Sequence, residues 1–232
     1  MDEQEDIMVI GKIIDGSYFY AKDGLLGKWD KWVLLIISCI IFPLFMGYTM
    51  RIYRGENPAP AIDDWGGMFI DGIKLLVVGV IYAIPIIILD IVLLGSATLA
   101  MVSSVRTSAG ASFIDSGAVM GLLLAILFGA MIIVIVAIII GLITATATVR
   151  FARTNSFSEA FNFGAIFAHI GKIGLMTYII ALIMMSIIIG IVEVVCLVIP
   201  FIGISLLIIL SPFIGVFSAR YLTLLYESAG PV

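Results

Sequence analysis

The chain has 232 residues, 62% of them hydrophobic and 12% charged, with a net charge of −4, and its mean hydropathy is +1.26. A soluble domain is about half apolar and about a quarter charged, so no water-soluble surface can be built from this composition. The acidic balance and the lack of any basic cluster exclude the electrostatic footprint of a nucleic-acid binder.

Residues 1–28 open with MDEQEDIMVIGK, which is acidic and lacks the basic n-region of a secretory signal, so the first apolar run is expected to be retained. Five runs, at 32–50, 73–94, 117–143, 173–199 and 201–219, are long enough to cross ~30 Å of hydrocarbon as helices. The reading is therefore all-α: a polytopic transmembrane helical bundle of about five spans over residues 29–220. A polar, interfacial segment (1–28) precedes it and a tail (221–232) follows. Cys39 and Cys196 fall inside predicted spans and read as packing thiols, not as a disulfide.

Between the first two runs stands ENPAPAIDDWGGMFIDGIK. Wound as a helix over 61–74, it places Trp65, Met68, Phe69, Gly72 and Ile73 on one side and Asp64, Gly67, Asp71 and Lys74 on the other. Asp63 or Asp64 is placed to cap its first turn. A short amphipathic helix with an aromatic on its apolar face, directly before a span, belongs in the interfacial plane.

After the third run comes RFARTNSFSEAFNFGAIFAHIGKIG, where Ser156 and Glu159 have capping-box spacing. Registering Lys172 on Lys74 pairs Phe163 with Trp65, Phe167 with Phe69, Asn162 with Asp64 and His169 with Asp71. After a one-residue gap, Arg150 and Arg153 fall on Arg51 and Arg54. The pattern is a diverged internal repeat of span, interfacial helix, span: one unit at 29–95, a second at 117–199, and a half unit at 201–220. In the half unit, Pro212, Gly215 and Arg220 echo Pro43, Gly47 and Arg51.

Residues 47–82, GYTMRIYRGENPAPAIDDWGGMFIDGIKLLVVGVIY, resemble the signature region of the domain of unknown function 4013 in their G-Y-x-x-R, R-G-E, D-D-W-G and D-G-x-K elements. That family is a group of mainly archaeal integral membrane proteins. The resemblance implies a membrane protein from an archaeal source and transfers no catalytic residue.

The residues expected at the headgroup level are Arg51, Arg54, Trp65, Lys74, Arg150, Arg153, Phe167, Lys172 and Arg220. Five spans put the termini on opposite sides, and the positive-inside rule then favours N-out, C-in in the cell membrane. Ionisable groups inside spans are functional candidates because each is costly unless paired or hydrated. Asp90 lies about 24 Å along a helix from Lys74, and Glu193 lies about 31 Å from Lys172, so Glu193 reaches the far headgroups whereas Asp90 stays below them. His169 stands without a second nitrogen or sulfur ligand at usable spacing, so no metal or cofactor is expected. Pairing of Asp63, Asp64 and Asp71 with Arg51 and Arg54, or a solvated polar face, is the better account of the acidic elbow.

The segment at 96–117 reads as a polar loop. In the third run, small residues recur at Gly117, Gly121, Ala125 and Gly129, and again at Ala137, Gly141 and Ala145, a stripe suited to close helix packing; it is expected to place that run centrally. No enzyme motif is present. The leading expectation is a non-enzymatic scaffold, assembly factor or accessory subunit, with membrane lipids and a membrane-protein partner or second copy as its partners. The alternative is a transporter or channel-like protein using Asp90.

Overall fold

The computed structural model describes residues 3–108 and 116–230, and all their regular structure is helical: α1 (Glu3–Leu25), α2 (Trp29–Ile40), α3 (Phe42–Tyr53), α4 (Trp65–Ser108), α5 (Ser116–Thr154), α6 (Phe157–Ala160), α7 (Phe163–Ile173), α8 (Leu175–Val198) and α9 (Gly203–Glu227). Four of them, within α4, α5, α8 and α9, are long and apolar enough to cross a membrane. The protein is a polytopic membrane protein of the expected helical class.

Two compact units form. The first joins the residues up to 78 with those from 142 onward, and the second is Gly79–Gly141.

In the first unit, α9 touches α1, α2, α3, α7 and α8. The N-terminal segment, expected to be polar and interfacial, is helical because Ile10, Ile13, Ser17, Tyr20, Ala21, Gly24 and Leu25 recur at helical spacing and are all buried. This stripe docks α1 on α9: Gly16 meets the Leu224 side chain and Tyr20 lies under Arg220. Gly27, at φ 80°, ends the segment beyond α1 in the conformation glycine favours.

The first apolar run is broken. Pro43 has no N–H for the preceding turn and its ring opposes a continued helix, so 32–50 forms parts of two twelve-residue helices, α2 and α3, meeting at Ile41. Lys31 Nζ donates to the Ala59 carbonyl at 3.2 Å, beyond the far end of α3. A straight helix over 31–48 would hold Lys31 and Tyr48 roughly 25 Å apart, whereas Lys31 Nζ lies 5.7 Å from the Tyr48 ring, so the pair is bent at Ile41. Pro85 and Pro212, by contrast, sit inside unbroken helices.

The tightest approach in this unit is between α3 and the start of α4. A Cβ on Gly47 would overlap the Met68 carbonyl, and one on Gly72 would overlap the Pro43 carbonyl. Backbone lies on backbone here, and only glycine permits it.

The second unit is a helical hairpin of residues 79–108 and 116–141. Much of the segment at 96–117, expected to be a polar loop, is helical: α4 continues to Ser108 and α5 starts at Ser116. Ser96 and Thr98 turn their hydroxyls onto the carbonyls of Leu93 and Gly95, so their polarity is absorbed without leaving the helix.

Candidate functional site

Four arginines and their carboxylate partners gather where α3 ends, α4 begins, α5 ends and α9 ends. Arg51, on the last turn of α3, donates to Asp63 at 3.0 Å and to the Ala61 carbonyl at 3.2 Å, with Asp64 3.6 Å away. Arg54 pairs with Asp71 at 2.6 Å, and Lys74 approaches the other oxygen of that carboxylate at 3.4 Å. These are the pairings the acidic elbow suggested. The hydrogen bond from Arg51 holds the exposed Asp63 carboxyl below the usual range.

Backbone carbonyls complete the frame. Tyr48, fully buried, donates to the Pro60 carbonyl at 3.2 Å, and Tyr20 donates to that of Glu56 at 2.7 Å. Burial pushes the Tyr20 phenol up to about 12, with nearby Arg220 acting the other way. Gly55, at φ 93°, turns the chain out of α3, and a Cβ there would stand 3.0 Å from the Arg153 guanidinium.

The second elbow is built alike. Asp64 Oδ1 accepts from Gly67 N at 2.9 Å and caps α4, and Asn162 Oδ1 accepts from Ala165 N at 3.2 Å and caps α7. Arg150 donates from both Nε and Nη2 to Glu159, which holds that carboxyl below the usual range. The expected capping box at Ser156 does not form, because Glu159 is taken by Arg150 and Ser156 bonds Ser158 instead. The elbows differ in one respect. The first is continuous with α4, whereas Gly174, at φ 96°, separates the second, α7, from α8.

The elbows are tied directly to each other. Arg153 Nε donates to the Tyr53 carbonyl at 2.8 Å and pairs through Nη2 with Glu227, while Arg54 Nε reaches the Ala152 carbonyl at 3.4 Å. His169, which the repeat register pairs with Asp71 on the polar side of the first elbow, is 5% exposed; it stacks on Tyr226 at 3.8 Å and donates from Nε2 to the Tyr226 carbonyl at 2.9 Å. Burial, with Lys172 and Arg150 nearby, depresses its pKa.

A family profile described as a protein of unknown function, DUF4013, matches residues 32–201. The chain belongs to the DUF4013 family. No curated protein and no solved structure matches it. The G-Y-x-x-R, R-G-E and D-G-x-K elements of its DUF4013-like signature hold the close-approach glycines Gly47 and Gly72, the turn glycine Gly55 and the paired Arg51, Arg54, Asp71 and Lys74. In this chain they build the elbow.

The remaining candidates lie outside that frame. Trp65, Phe167 and Lys172 are exposed. Asp90 is half-buried on α4 and Glu193 exposed on α8, neither with an ion pair among the described residues; the Arg106 side chain lies outside the described ones. Of the small-residue stripe, Gly117, Gly121 and Ala125 are exposed and Ala137 and Ala145 half-exposed. An added Cβ would meet nothing within 4 Å at Gly121 or Gly141, and at Gly129 it would meet Leu93 at 3.5 Å. The contacts of α5 in the first unit come from other residues: Thr146 donates to the Tyr178 hydroxyl, which donates to the Leu142 carbonyl. Both cysteines are free. Among the described residues no group of three His, Cys, Asp or Glu side chains is gathered for a metal ion.

Sequence reasoning missed the roles of Tyr20 and Tyr48 and an apolar cavity of about 400 Å³ beside α1. The helical spacing of the buried α1 residues was the available signal for the docking of that helix.

Proposed function

We propose that this DUF4013 protein is a non-enzymatic membrane scaffold, assembly factor or accessory subunit whose twin elbows form a rigid platform for a membrane-protein partner. The observation that carries the reading is how the elbow charges are used: Arg51, Arg54, Arg150 and Arg153 each engage a carboxylate of this same chain, which stiffens each elbow and its contact with α9, while Arg153 and Arg54 tie the two elbows through the Tyr53 and Ala152 carbonyls. The test is purification from native membranes with mass-spectrometric identification of what co-purifies. A stoichiometric membrane-protein partner supports the reading, and a chain recovered only by itself counts against it.

The orientation that fits best has both termini in the cytoplasm of the source cell, for which we propose an archaeon. Its support is the bend between α2 and α3 at Ile41, together with the contacts of Gly24 and Lys31 with Ala59. With α2–α3 entering and leaving on one face, four spans remain, and Lys12, Lys22, Lys28 and Lys31 join the elbow arginines. That face then carries every basic residue except Arg106, out of twelve, and the positive-inside rule has a wide margin. Reporters fused to the N- and C-terminus should give the same sidedness; opposite sidedness would restore a five-span path with N-out, C-in. The shared offset of the Asp64 and Asn162 caps supports the proposed repeat.

A transporter-like second reading has one specific observation in its favour, two half-helices meeting at Ile41, a device found where membrane proteins bind substrates. Solute flux in proteoliposomes that is lost in Asp90→Asn would establish it.

A further inference from the structure

We propose that the first unit holds one anionic membrane lipid, its hydrocarbon chain in the cavity between α1, α8 and α9 and its phosphate on Arg220. This goes beyond the scaffold reading and does not rest on it. The cavity measures about 400 Å³ and is walled by Tyr18 of α1, Ile188 and Val192 of α8, and Phe213, Ile214 and Phe217 of α9, among others. Such a volume lies in the range of small-ligand sites. Apolar cavities of this kind stay free of water and accept hydrocarbon, and α8 and α9 are two of the helices able to span a bilayer.

Arg220 supplies the second half of the site. It follows Phe217 by three residues, one turn nearer the elbow end of α9 and on the same face. Its guanidinium lies 4.8 Å over the Tyr20 ring, which is itself fixed by its bond to Glu56. Its Nε and Nη1 are buried and have no hydrogen-bond partner. Every other arginine whose side chain is described pairs with a carboxylate. A buried charged donor left unmet is costly, and the planar guanidinium suits two oxygens of a phosphate. Because Nε and Nη1 are buried, a phosphate reaches them only when the side chains over them shift aside; its lipid chain would then run along Phe217 and Phe213 into the cavity. That depth order, charge at the end of the span and an apolar hole one turn further in, matches a lipid and not a free anion.

The test uses the full chain in detergent, stripped of lipid and titrated by native mass spectrometry with phosphatidylglycerol, phosphatidylcholine or glycerol phosphate alone. The expected result is one phosphatidylglycerol per chain, bound at least tenfold more tightly than phosphatidylcholine and not displaced by glycerol phosphate. Arg220→Lys should weaken phosphatidylglycerol about tenfold, and Val192→Trp, which fills the cavity, should weaken both lipids. Wild-type binding by both folded variants, or displacement by glycerol phosphate, would overturn the proposal. Should either variant fail to fold, a photoreactive phosphatidylglycerol carrying its label in the chain decides on wild type alone. Adducts confined to residues 188–192 and 210–217 uphold the site, and adducts spread along all lipid-facing helices refute it.

Discussion

Gly47 and Gly72 decide how near α3 can come to α4, since each faces the other helix's backbone. Gly47→Ala and Gly72→Ala should each cost about 1–3 kcal/mol, the usual penalty for overpacking, while Gly121→Ala and Gly141→Ala, which meet open space, should stay within about 0.5 kcal/mol of wild type. Melting curves of detergent-solubilised protein read the difference. His169 makes a pH prediction. Its pKa is depressed in the folded state, so the unfolded chain takes up its proton first as pH falls. Stability is whole above the unfolded value of about 6.5 and declines below it, down through the depressed folded value. Carboxylates such as Asp63 and Glu159 act in a lower window, from about 4 downward. Wild type should therefore lose melting temperature between pH 7.5 and pH 5, and His169→Gln should lose less. Equal losses would show that His169 does not govern this window.

At the scale of elements, the two elbows show what the sequence makes legible. The 98-residue offset aligning Lys74 with Lys172 also aligns the Asp64 and Asn162 caps, because capping depends on a local residue type at a local position. Legibility fails at Gly174, since a glycine after an amphipathic run does not say whether the next helix continues. It also fails for the break at Ile41, where Pro43 marks the interruption but the direction of the bend depends on contacts of α2 with segments distant in sequence. Arg153 bridges elements more strongly than its ion pair implies: Arg153→Ala removes the bond to Tyr53 as well, so it should destabilise more than Glu227→Gln, whose half-exposed pair is worth about 0.2–1 kcal/mol. In the second unit, Gly129→Leu should lower the melting temperature by forcing a side chain onto Leu93, and Gly121→Leu should not. Identical melting of the two variants would mean that the hairpin does not close at Gly129.

For the molecule as a whole, the helical class and the four helices long and apolar enough to cross a membrane follow from apolar run length, a one-dimensional property. Which helix the first unit packs on does not. Sequence favoured the third run on its small residues, yet the N-terminal helices dock on α9 through Trp32 Nε1 to the Ile209 carbonyl at 2.7 Å, Thr223 to the Ile52 carbonyl at 3.2 Å, and Phe45 against Gly215. Such pairings join residues over 160 positions apart and leave no periodic trace. Removing residues 200–232 should thus expose the 54–64 segment to protease while leaving the hairpin of residues 79–141 intact, as limited proteolysis would show.

The dependence of α1, α2 and α3 on α9 also sets an order of events during synthesis. At about 5–20 residues per second, roughly ten to thirty seconds pass between the emergence of the first helices from the ribosome and that of the last. Throughout that interval the run at 32–50 has the length and greasiness of a genuine membrane span and lacks the α9 surface on which its two halves pack. The insertion machinery therefore handles a segment whose final path is decided only once α9 has been made, and anything that slows synthesis of α9 widens the window for threading it the wrong way.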